Sequence, residues 1–166
     1  MIKPFFLIIP FLLAQFSYAD QFLPPDPGEE GKQTLLGLDS DNDGVRDDIQ
    51  RYIYLTYPAN EKVRLAITQI AIQYQGLLSQ ADEPEAAFFH ATKLARHGEC
   101  LDYIVGEASG DIIAALKAEI LNTRERSIAY IKFNDNLAGA IIIGAPLKEW
   151  KNSCDFELDD SHYRRE

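Results

Sequence analysis

Between Gly37 and Asp48 the sequence reads GLDSDNDGVRDD. Asp39, Asp41 and Asp43 recur at every second position, Gly44 follows, and Asp47 and Asp48 close the run. Carboxylates placed this densely repel one another at short range unless a cation sits between them. Alternate Asp side chains in a tight loop converge on one point, a Gly supplies the sharp turn, and a main-chain carbonyl adds a neutral oxygen. That donor set suits a hard, oxygen-seeking cation such as calcium. A hairpin or helix-capping turn is the competing reading, since Asn-Asp-Gly favours tight turns and Asp47 and Asp48 suit a helix N-terminus. The flanks lack the apolar–polar alternation of hairpin strands, and a cap needs one Asp rather than five.

The D-x-D-x-D-G spacing resembles the first half of an EF-hand calcium loop, and more closely the shorter D-x-D-x-D-G-x-x-D loops of thrombospondin type 3 repeats and related bacterial exported proteins. The resemblance covers residues 39–50 and implies a metal site only. It implies that Asp39, Asp41, Asp43 and Asp47 give side-chain oxygens and Val45 its carbonyl. The twelfth position is Gln50, where an EF-hand has a bidentate Glu. Its single neutral oxygen, with Asp48 or water as the substitute, implies weak calcium binding, with Kd roughly 10⁻⁴ to 10⁻³ M. Arg46 stands where EF-hands carry an apolar residue. The Pro- and Gly-rich residues before the loop do not read as an entering helix, so the motif is a loop with an exit helix. A lone loop argues against a sensor of the paired-loop kind and for an ion that orders the fold.

Residues 1–19 read as an export signal: Lys3, the apolar run PFFLIIPFLLAQF, then Ser17 and Ala19 at a small-residue cleavage site. The run is shorter than the ~20 residues of a spanning helix, so no membrane attachment is expected after cleavage. Two cysteines, Cys100 and Cys154, in an exported chain read as one disulfide, worth about 4 kcal/mol by chain entropy. The expected location is the periplasm or the medium. The net charge of −10 over 166 residues argues against nucleic acid or anionic lipid as a partner and leaves an unidentified protein partner open.

The elements that must position the loop read as follows. Residues 20–36 are an extended Pro/Gly-rich leader. Residues 37–166 form an all-α domain, a bundle of about four helices. The first helix carries Ile49, Tyr52 and Ile53 and stops at Pro58. The second, capped by Asn60, carries Val63, Ile67, Ile70, Tyr74, Leu77 and Leu78 on one stripe. The third starts at Pro84 and buries Ala87, Ala91, Leu94 and Leu101. The fourth, from Ser109 or Asp111, presents Ile113, Leu116, Ile120, Ile128 and Ile131, with a polar middle, NTRERS, that kinks or bridges solvent. The short run AIIIGAP, residues 140–146, is a buried strand or a turn of core helix.

Other chemistry reads weakly. His90, His97 and Cys100 share a helix face, and a zinc site there fails if Cys100 is disulfide-bonded; exposed histidines are the default. Glu107, Asp111 and Glu119 form no spaced acid–base pair. The two Arg of TRERS could dock an acidic partner. The leading expectation is therefore an exported, calcium-binding, non-catalytic interaction or envelope-associated module. The alternative is an exported enzyme or inhibitor with a site in a helical groove.

Overall fold

The computed structural model describes residues 23–158. The export signal lies outside the described residues. Five helices follow one another: α1 Asp47–Thr56, α2 Glu61–Ser79, α3 Pro84–Val105, α4 Ser109–Ile120 and α5 Arg124–Asn136. Short 3-10 turns occur at Glu30–Lys32, Gly106–Ala108 and Leu147–Ser153, and no strand occurs among the described residues. The architecture is all-helical, as expected.

Local chemistry explains the boundaries. Asn60 accepts a hydrogen bond from the Val63 N–H and starts α2. Pro84 opens α3, where its missing N–H costs nothing. Gly106, at φ 62°, ends α3 in a conformation that disfavours side chains. The expected fourth helix is divided in two. α4 ends at Ile120, and Thr123 caps α5 by accepting from the Arg126 N–H. The break resets the helical phase, so Ile128 and Ile131 are exposed while Ala129, Phe133 and Arg126 turn inward.

Helix α2 is the centre of the bundle and contacts α1, α3, α4 and α5. Its whole predicted stripe, Val63, Ile67, Ile70, Tyr74, Leu77 and Leu78, is buried. Ile49 and Ile53 of α1, Ala87 and Leu101 of α3, and Leu116 and Ile120 of α4 complete the core around it. Gly76 lets the His90 ring lie directly on α2, because a Cβ there would collide with the ring.

Cys100 of α3 is bonded to Cys154. The bond holds a C-terminal strap, residues 147–156, against α3, where Arg96 donates to the carbonyls of Asn152 and Ser153. Residues 140–146 are neither helix nor strand, and Ile141 and Ile143 are exposed to solvent rather than buried.

Candidate metal centre

The acidic loop joins the leader to α1. A hydrogen bond of 2.7 Å from the Asp47 N–H to the Leu38 carbonyl closes its ends. Asn42 and Gly44 adopt φ of 58° and 88°, left-handed conformations that Asn and Gly tolerate best. The chain therefore curls so that main-chain N–H groups point at its own carboxylates. Asp39 accepts from the N–H groups of Asp43 and Gly44, and Asp43 accepts from Val45 at 2.8 Å.

This curl brings Asp39, Asp41 and Asp43 together. One carboxylate oxygen from each lies within 4.8 Å of the others, and the three could hold a metal ion. Asp43 bears the cost most clearly. Partial burial raises its proton affinity above the ordinary carboxylate value; the bond from Val45 opposes this, and the charges of Asp41, Asp39 and Asp47 add to it.

Gln50, one turn into α1, closes the cluster. Its Nε2 donates to Asp41 at 3.1 Å and to Asp43 at 3.0 Å. The positive end of an amide dipole thus stands between two carboxylates, where a cation would do the same work more strongly. Its Oε1 is buried without a hydrogen-bond partner. Three converged carboxylates are the donor set of a hard cation, and the cluster could hold a metal ion.

The remaining residues of the expected set have further contacts. Val45, expected to offer only its carbonyl, is buried in the core. Asp47 is buried at the start of α1, where its carboxylate accepts from the Ser40 N–H at 2.8 Å and braces the loop. Asp48 is engaged by Arg46 through two hydrogen bonds, of 2.6 and 2.8 Å. Burial pushes the Asp48 carboxyl up, but Arg46 and Arg126 outweigh it and hold the group below its ordinary value.

Arg46 and Arg126 are interior. Arg46 is 1% exposed and also donates to the Ile120 and Glu119 carbonyls at the end of α4. There it neutralises the negative end of the helix. Arg126 is fully buried. It donates to the Gly31, Thr34 and Leu35 carbonyls and to Asn122, tying the leader to α5. Arg126 is thus occupied internally. The signal for Arg46 was its place at a position that is normally apolar; for Arg126 the leader carbonyls lie over 90 positions away and nothing local marked them.

The histidines are buried, not exposed. His90 sits between Gln73 and Gln80, and burial lowers its pKa. His97 meets the Gln69 carbonyl and Asp155; burial lowers its pKa although Asp155 pulls the other way. With Cys100 in the disulfide, no zinc site forms from these residues. Glu107, Asp111 and Glu119 are separate and exposed. A surface depression of about 310 Å³ lies between α3 and the strap. Two of its ionic groups, Glu99 and Arg96, are already engaged. Glu99 accepts from the Ala145 N–H and the Ser153 hydroxyl, and Arg96 holds the strap. No family model matches the chain, and neither a curated protein nor a solved structure matches it. No helix among the described residues is long and apolar enough to cross a membrane.

Proposed function

We propose that the Asp39–Gln50 loop binds calcium and that the chain is an exported, non-catalytic interaction or envelope-associated module whose leader and first helix the ion orders. The convergence of three carboxylates on one point, bridged by the Gln50 amide, carries this reading. Calcium would replace the amide's donor end between Asp41 and Asp43, and the main-chain N–H groups already fix the carboxylates. The disulfide is compatible with an oxidising compartment.

The role of the ion follows from the loop's neighbours. The loop lies between the leader, which Arg126 anchors, and α1, whose Asp48 holds Arg46 against α4. An ion bound there favours the folded state by mass action. The test is thermal unfolding of the purified chain in EDTA and in ~2 mM calcium, beside an Asp41→Ala/Asp43→Ala variant. With the weak affinity of extracellular modules, calcium adds roughly 0.6 to 2 kcal/mol. The reading requires the midpoint to rise in calcium and the variant to lose that response. An unchanged midpoint in both proteins makes the loop an acidic turn and removes calcium from the function.

A further inference from the structure

The depression between α3 and the strap holds a buried carboxylate that no opposite charge balances. Its volume of about 310 Å³ is at the low end of small-molecule sites. Glu99 lines it and is 9% exposed. The two carboxylate oxygens meet neutral donors only, the Ala145 N–H at 2.6 Å and the Ser153 hydroxyl at 2.7 Å. Gly144 permits this close wrapping, because a Cβ there would lie 2.6 Å from Oε1. No basic side chain pairs with Glu99 among the described residues. A carboxylate withdrawn from water without a counter-charge is costly, and each of its oxygens keeps a lone pair for a further donor.

The other lining residues select the sign and shape of what fits. Glu149 borders the cavity, is exposed and has no partner among the described residues, so it adds a second negative charge. Arg96 is the one basic residue of the lining. Its guanidinium donates to the Asn152 and Ser153 carbonyls and lies 3.4 Å from Asp155, so its charge is matched. An anion finds no unmatched cation here. A metal ion is no better served, since the only group of three metal-ligating side chains among the described residues is the acidic loop. Ala95, Ile143 and the Thr92 methyl supply apolar wall. We propose that this cavity binds a small primary aliphatic amine as its ammonium ion, with the charged head on Glu99 and the stem along Ala95 and Ile143. The ammonium supplies charge-assisted N–H donors to the free lone pairs of Glu99. Glu149 and the net charge of −10 draw the cation to the opening. So small a ligand in a half-open site binds weakly, with Kd roughly millimolar.

Butylammonium is the probe, titrated at pH 7 and fixed ionic strength, in EDTA so that the metal reading is not involved. NMR of the Thr92 and Ile143 methyl groups is expected to show shifts that saturate, whereas 1-butanol and butyrate at the same concentrations give no saturating shift. Glu99→Gln is expected to weaken binding about tenfold or more, the loss of a hydrogen bond to a charged group. Ala95→Phe fills the cavity and leaves Glu99 and its bonds to the strap in place. It is expected to abolish saturation with the circular dichroism spectrum unchanged, so the test holds even where Glu99→Gln loosens the strap. Glu149→Gln, at an exposed position, is expected to weaken binding by only about twofold. Asp41→Ala/Asp43→Ala is expected to leave it unchanged, which separates the cavity from the acidic loop. Shifts that never saturate, an equal response to 1-butanol, or binding that survives Ala95→Phe overturns the proposal.

Discussion

Two irregular segments lie against the helices, the acidic loop before α1 and the strap after residue 146. The loop is held by hydrogen bonds among its own polar groups, with carboxylates turned toward one another. The strap is held by a covalent bond, by Glu99 and Arg96 of α3, and by His97 against Asp155. The loop therefore gathers carboxylates that a cation would relieve, whereas Asp155 of the strap is already matched by His97 and Arg96. The difference separates the agents that should act on each: divalent cations on the loop, reductant and protons on the strap.

The largest test of that separation is the disulfide. Replacing both Cys100 and Cys154 by Ala should cost about 4 kcal/mol, read from the urea midpoint, with the calcium increment unchanged. A lost calcium response would mean that the strap and the loop form one cooperative unit. Arg126→Met comes next. It removes a buried guanidinium from the carbonyls of Gly31, Thr34 and Leu35 and leaves them short of donors. The expected cost is about 3 kcal/mol. Limited proteolysis should then cut first within residues 24–36, while the strap stays intact. Cleavage in the strap instead would show that the leader is not what Arg126 secures.

These two sites also show what the sequence made legible. Helix α2 could be read outright, because six apolar residues keep the 3.6-residue period between an Asn cap and a turn. The disulfide followed from there being two cysteines, and the convergence of Asp39, Asp41 and Asp43 from their spacing and Gly44. The division between α4 and α5 showed only as a polar stretch, since the cap at Thr123 needs the backbone to leave the helix before it. Arg126, His90 and His97 looked like surface residues because their partners are set by tertiary packing: the leader, Gln80 and Asp155. Spacing offered Asp47 and Asp48 as oxygen donors, and could not show that they also accept from Ser40 and Arg46. Ile141 and Ile143 carried no period that separates strand from helix, and a three-residue apolar run cannot reveal that its outer face stays open.

The smallest effect is protonic and belongs to the strap. Burial lowers the pKa of His97 below its ordinary value, against the pull of Asp155 and with a minor push from Lys93; Arg96 sits on the far side of Asp155 at 3.4 Å. Burial lowers His90 in the same direction. For a histidine depressed in the folded state, the unfolded chain binds the proton more readily. The stabilisation is therefore complete above the unfolded value, near 6.5, and is lost as pH falls through the folded one. Between pH 7 and pH 5 the chain should lose less than about 1 kcal/mol from these groups, because solvent at the strap screens part of the interaction. His97→Gln should remove part of that slope and leave the part due to His90. Histidine ring resonances followed by NMR should give both midpoints below 6.5. Calcium should leave the His97 midpoint where it is, since the ion and the imidazole act on different segments. A His97 midpoint above 6.5 would mean that the carboxylate of Asp155 outweighs burial, and the strap would then weaken on raising the pH rather than on lowering it.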